Sequence, residues 1–237
     1  LTELEKVLLL NNKAKEGYMP NWCNNNVTIT SPDQDKLKAI SKAAEEGKMF
    51  EFMHPMPAEL RDTTADGTER PDLVKKYGHS DWYGWANQNW STKWDISECY
   101  QNDLQDGVLH LAFDTAWGPP IGVYDHYTRL NNDIDIKGFY FEGGCDFMGV
   151  WHQGEDEFYQ TSEITDRELE GSMHEFDDLY NILEHRAEYR EDAIRDGDHA
   201  TAKEWLMKHQ EMSEEKADEY INDFIVREGV EQVEEEG

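Results

Sequence analysis

The spacing of hydrophobic positions changes several times along the chain, and each change predicts an element. From Asn26 to Thr30 the run Asn-Val-Thr-Ile-Thr alternates with period two and is rich in β-branched residues, which predicts a half-buried strand. Ser31-Pro32-Asp33 then supplies an N-cap and a proline at the first helical position. The helix that follows runs to about Glu46, buries Leu37, Ile40 and Ala43, and ends at Gly47. Phe50-Glu51-Phe52-Met53 reads as a second strand, stopped by the prolines of His54-Pro55-Met56-Pro57. Asp62 to Asp72 is a polar loop with an Asp66-Gly67 turn, and Ser80 to Trp90 is a short aromatic helix carrying Trp82, Tyr83, Trp85 and Trp90. Residues 107–114 alternate again as a strand, which Trp117-Gly118-Pro119-Pro120 breaks before a helix from Ile121 to Leu130. Asp135 to Glu142 and Phe147 to His152 are further strands, joined through a tight turn at Gly143-Gly144. Two rounds of strand, helix, strand predict an α+β fold, an antiparallel sheet with helices on one face in the split βαβ arrangement.

The last third has a different texture. Phe176, Leu179, Leu183, Ala187 and Ile194 fall on one helical face, with Glu184, Glu188, Glu191 and Asp192 across from it. Ser213 predicts the N-cap of another helix, whose apolar face is Ala217, Tyr220, Ile221, Phe224 and Ile225. The expected organisation is a helical extension over 1–18, an α+β domain over 19–162 and an acidic helical region over 163–237, with Glu231 to Gly237 a frayed tail.

Charge changes the picture most. The chain has 52 Asp and Glu against 22 Lys and Arg, a formal net charge of -30. Residues 151–237 hold 28 of the acids and 8 of the bases, which leaves 24 and 14 for residues 1–150. Such a surface repels nucleic acid, anionic lipid and phosphate-rich ligands, so direct nucleic-acid binding is not expected, and a large partner should be a basic protein surface or a cation. No run of eighteen apolar residues is present, so no membrane span is expected. Three widely spaced cysteines, Cys23, Cys99 and Cys145, suit reduced thiols in a cytoplasm. The 8 Trp, 11 Tyr and 9 Phe carry enough apolar area for a core.

Four stretches in order carry a resemblance. They are Met19-Pro20-Asn21-Trp22-Cys23-Asn24-Asn25-Asn26, Ser91-Thr92-Lys93-Trp94-Asp95, Phe113-Asp114-Thr115-Ala116-Trp117-Gly118-Pro119-Pro120, and Tyr140-Phe141-Glu142-Gly143-Gly144-Cys145-Asp146-Phe147-Met148-Gly149. Together they resemble the YubB-type ferredoxin-like proteins of bacteriophages and conjugative plasmids, over about residues 19–160. The resemblance implies a ferredoxin-like fold, a mobile-element origin and Met19 as the natural start. It implies no settled activity. Ser91 departs from the family pattern, where a glycine is expected, so the turn before Thr92 should be less tight.

Candidate chemistry is thin. Lys93, Asp95, Asp114 and Glu142 come from three motifs that could converge for acid–base work. Without a nucleophile or phosphate loop, the sequence favours a structural role, with a Lys93–Asp95 ion pair orienting Trp94 in the core. Trp22, Trp94 and Trp117 could stack bases, but no basic residues accompany them to follow a phosphate backbone, so they are expected to be core aromatics. Cys23 and Cys145 are expected to be buried small residues. A calcium loop starting at Asp192 fails, because Ile194 and Lys203 stand where oxygen ligands are required. No HExxH or zinc spacing occurs, so neither a metal nor a cofactor is expected from the motifs, and a metal site could form only through tertiary convergence.

The acidic helices support the most definite reading. Glu184, Glu188 and Asp192, and again Glu215, Glu219 and Asp223, place a carboxylate every fourth residue, about 6 Å apart along one face. Each DNA strand presents one charge per roughly 3.4 Å. The expected function is therefore non-enzymatic: an acidic accessory protein that binds a basic, nucleic-acid-binding host protein in the host cytoplasm, in the manner of a DNA mimic. Two other readings stand beside it. One is a phage assembly accessory that uses the aromatic domain as interface, with self-association. The other is an enzyme using Lys93, Asp95 and Glu142.

Overall fold

The computed structural model describes residues 21–230. The expected leading helix, the start at Met19 and the frayed tail from Glu231 lie outside the described residues. The chain divides into two compact units between Phe158 and Tyr159. Among the described residues no helix is long and apolar enough to cross a membrane.

The first unit is an α+β sandwich. Strand β1 (Trp22–Thr30) is central and pairs antiparallel with β3 (Val108–Ala116) on one side and β4 (Asp135–Glu142) on the other. β2 (Cys99–Gln105) flanks β3, β5 (Phe147–His152) continues past β4, and β6 (Glu155–Gln160), within which the unit boundary falls, is outermost, giving the order β2-β3-β1-β4-β5-β6. The first four strands stand in the ferredoxin-like order, all antiparallel. β2 and β6 form the sheet edges; β2 is bulged between Cys99 and Gln101, and β6 opens with Glu155-Asp156-Glu157.

One face of the sheet is apolar because alternate residues point to it. Val27 and Ile29, Leu109, Leu111 and Phe113, Ile136 and Trp151 bury there against helices α1 (Gln34–Glu45), α2 (Met49–Met53), α3 (Ala58–Arg61), α5 (Trp82–Asn89) and α6 (Ile121–Leu130). On the other face Thr28 Oγ1 lies 3.1 Å from His110 Nδ1, and Asp114 accepts from Asn24 and from the Tyr100 hydroxyl. Helix α4 (Pro71–Tyr77) completes this unit, with proline in its first turn and Gly78 at φ 80° closing it.

Several boundaries depart from the sequence reading. β1 begins at Trp22 rather than Asn26, so the three asparagines are strand residues. Asn25 is buried and donates to Cys23 O and to Thr115 Oγ1, both at 2.8 Å. The cap of α1 is Asp33 rather than Ser31: its carboxylate accepts from Asp35 N and Lys36 N, while Ser31 Oγ accepts from Asp33 N. The expected strand Phe50–Met53 is helix α2, because the Asp95 carboxylate accepts the N–H groups of Phe50 and Glu51, each at 2.9 Å, and satisfies the helix start. The polar loop after Asp62 gives way to α4 at Pro71. Strands β2 and β6 were not legible, since their Asp, Asn, Gln and Glu residues mask any alternation.

The second unit is helical: α7 (Asp166–Glu170), α8 (His174–Tyr180), α9 (Ile182–Arg195), α10 (His199–His209) and α11 (Glu214–Glu228). The single helical face expected from Phe176 to Ile194 is broken at Asn181, which takes φ 50°. Beyond that break the buried stripe is Ile182, Arg186, Arg190 and Ile194, not Leu183 and Ala187, and Leu179 is exposed. Ala202 and Leu206 of α10 join Ile194 of α9 and Ala217, Ile221, Phe224 and Ile225 of α11 in one apolar cluster.

Candidate functional site

The motif residues do not assemble into one centre. Asp95 is spent on backbone: besides Phe50 and Glu51 it accepts the Ile96 N–H at 2.9 Å, and burial lifts its carboxyl to about 6 despite those three donors. Glu142 is buried at the end of β4 and accepts the N–H groups of Gly144 and Cys145, which fixes the turn into β5. Asp114 faces Asn24 and Tyr100 on the polar side of the sheet, and its contact pushes the Tyr100 hydroxyl up to about 12. No hydrogen bond or ion pair joins any of these to Lys93.

The expected Lys93–Asp95 ion pair is absent. Lys93 Nζ instead lies over three rings, 4.0 Å from the centroid of Trp94, 5.3 Å from Trp117 and 5.7 Å from Tyr83. Trp94 and Trp117 stack with centroids 6.4 Å apart and planes at 25°. Nor are the three tryptophans core aromatics: Trp22 is 44% exposed, Trp94 41%, and Trp117 half-buried. The segments that carry Trp94 and Trp117 each include a left-handed residue, φ 66° at Ser91 and 66° at Trp117, while Trp22 opens β1. Ser91 thus adopts the conformation that a glycine would favour, and its Oγ accepts the Gly122 N–H at 3.1 Å. Of the cysteines, Cys23 is buried, and burial pushes its thiol up; Cys145 is exposed, contrary to expectation, with Asn21 donating to its sulfur at 3.2 Å.

The six carboxylates of the second unit lie where the periodicity places them. Glu184, Glu188 and Asp192 are exposed along α9, and Glu215, Glu219 and Asp223 along α11. Asp192 pairs with Arg195 at 2.8 Å; the other five make no ion pair among the described residues. The cations of α9 are disposed differently. Arg186 is 5% exposed and donates to Asp166 at 2.8 Å and to Thr161 O at 2.6 Å, while Arg190 is 7% exposed and donates to the Tyr220 hydroxyl at 3.2 Å. The inward arginines leave the outer side of α9 acidic. The sequence does hold a signal for them, a four-residue spacing between Ile182 and Ile194. Tyr83 leaves no such signal, since it meets Lys93 only through tertiary approach.

Among the described residues no group of three His, Cys, Asp or Glu side chains could hold a metal ion. The cleft beside Ser31, Asp106, Asp133 and Asp135 is carboxylate-lined, with Asp133 paired to Lys36 at 2.6 Å.

No family model matches the chain, and no curated protein does. Among solved structures, the chain is similar to the protein api92 from Yersinia pseudotuberculosis, described with the family model DUF1281. The identity is 10%, covering 60% of this chain and 98% of that one, with a TM-score of 0.38.

Proposed function

We propose that this is a non-enzymatic, acidic accessory protein of a bacteriophage or other mobile element. It acts in the host cytoplasm by occupying the basic surface of a nucleic-acid-binding host protein, as a DNA mimic. The observation that carries the reading is the sorting of charge on α9 and α11: five exposed carboxylates with no ion pair among the described residues, against two arginines of α9 turned inward. The burial of Arg186 and Arg190 removes two counter-charges from the outer face of α9, so the field there that steers a basic partner is strengthened. The mobile-element origin rests on the resemblance of the four motifs to the YubB-type proteins.

The test is capture from host lysate on the immobilised protein at about 50 mM and about 500 mM salt, beside a variant with the six carboxylates changed to Gln or Asn. A nucleic-acid-binding protein that elutes between the two salts, is displaced by duplex DNA and is not retained by the variant supports mimicry. Capture that survives both salts and the six substitutions rejects it. That outcome would favour the second reading, assembly through the aromatic ferredoxin-like domain, for which the exposure of Trp22 and Trp94 is the specific argument.

A further inference from the structure

In a chain of net charge -30, Lys93 makes no hydrogen bond and no ion pair among the described residues. Its ammonium is held by ring faces alone, those of Trp94, Trp117 and Tyr83. Three elements of the first unit build this arrangement. Tyr83 comes from α5, whose start is fixed by the Asp81 carboxylate accepting the Gly84 N–H. Lys93 and Trp94 come from the segment after the left-handed turn at Ser91, and Trp117 follows β3. Asp95, the nearest acid in sequence, is committed to three backbone N–H groups and gives no counter-charge.

Such a set of faces is an aromatic cage for an organic cation, and ring quadrupoles do not distinguish the chain's own ammonium from an external one. We infer that the cage of Tyr83, Trp94 and Trp117 receives a lysine or arginine side chain of a basic polypeptide partner, and that Lys93 is its internal occupant, displaced on binding. The choice of a polypeptide follows from charge. A net charge of -30 concentrates polycations far more than it concentrates a single small amine. Trp94 is 41% exposed, so the cage lies at the surface of the first unit. Lys93 therefore sets a threshold: a tethered ammonium competes at the millimolar effective concentrations typical of short flexible connections, so weak cations are excluded. This inference rests on the basic-partner reading.

The experiment reads the cage without the acidic helices. Indole N–H resonances of Trp94 and Trp117, assigned through Trp94→Phe and Trp117→Phe, are followed while blocked single lysine, blocked single arginine and tetramethylammonium are added in turn. These probes are monovalent, so a failure here leaves the salt-dependent capture by the carboxylates intact, and a failure of that capture leaves this result intact. In Lys93→Ala the two resonances should shift saturably with the blocked amino acids, with the apparent affinity at least about tenfold above wild type. Lys93→Ala/Trp94→Ala should lose the response. Lys93→Met supplies a second readout: its side chain occupies the cage without the ammonium's attraction to the rings, so the affinity should fall between those of wild type and Lys93→Ala. Absence of a saturable shift in Lys93→Ala, equal affinity in wild type and Lys93→Ala, or an unchanged response in the double variant would each overturn the inference. A response to tetramethylammonium alone would overturn the assignment to a polypeptide side chain.

Discussion

Arg186 and Arg190 stand one turn apart on the same helix and are almost equally buried, yet among the described residues only Arg186 meets a carboxylate, that of Asp166 at 2.8 Å. Arg190 lies over the Tyr220 ring at 5.2 Å and donates to its hydroxyl, with its Nε buried and unpaired. Replacing a buried ion-paired group leaves its partner uncompensated, whereas replacing an unpaired buried charge removes a desolvation cost. Arg186→Met should therefore destabilise the full chain by about 3 kcal/mol, and Arg190→Met should be neutral or stabilising. Denaturant unfolding of both variants checks this; equal losses would contradict it.

Asp95 ties the segment after Trp94 to the start of α2. Removing its carboxylate in Asp95→Ala leaves buried N–H groups of Phe50 and Glu51 unsatisfied, and should cost about 2 kcal/mol.

Its titration gives a second expectation. Burial raises the Asp95 carboxyl from 3.8 to about 6, so its contribution to stability is fully present below 3.8 and is lost as pH rises through about 6. The difference corresponds to about 3 kcal/mol. Between pH 4 and 7 the wild type should lose this increment and Asp95→Asn should not, which parallel denaturant titrations would reveal.

His54 works in the opposite direction. Burial, and then its stacked neighbour His126 with ring centroids 3.5 Å apart, lower it from 6.5 to about 4. A histidine held neutral in the folded state contributes stability that is present above 6.5 and is lost as pH falls towards 4. His54→Phe should keep its stability further into acid than the wild type. An unchanged acid limb in that variant would show that His54 does not govern it.

Gly122 marks the tightest approach between α5 and α6: a Cβ there would lie 2.3 Å from the Asn89 carbonyl oxygen, which is backbone and cannot swing away. Gly122→Ala should destabilise by about 2 kcal/mol or more, and it should also disturb the Ser91 hydroxyl that accepts the Gly122 N–H.

What the sequence disclosed follows from which forces are local. The central strands, α6 and the capped helix after Ser213 were legible because their periodicity and caps lie within a few residues. Helix α2 was not, because its start is satisfied by a carboxylate more than forty residues downstream. Of the sites, the exposed carboxylates could be placed from spacing alone, since a solvated face needs no partner. The lysine cage could not. The lack of neighbouring basic residues pointed to core tryptophans, and nothing local in the sequence reveals that Ser91 and Trp117 take left-handed backbone or that Lys93 meets Tyr83.

The two sheet edges have a consequence for solution behaviour. An exposed strand is a template on which another copy can add by backbone pairing, and fibre growth starts that way. Here β6 carries Glu155, Asp156 and Glu157 and β2 carries Asp103 beside a bulge, so head-on addition would set like charges against each other. That safeguard is protonic. Asp156, raised by burial, loses its charge early on acidification, and near the sequence pI of about 4.4 the repulsion between copies fades. The same acidity that keeps molecules apart at neutral pH is thus a barrier that mild acid lowers, and light scattering between about pH 7 and 4.5 should show association rising as the pH falls.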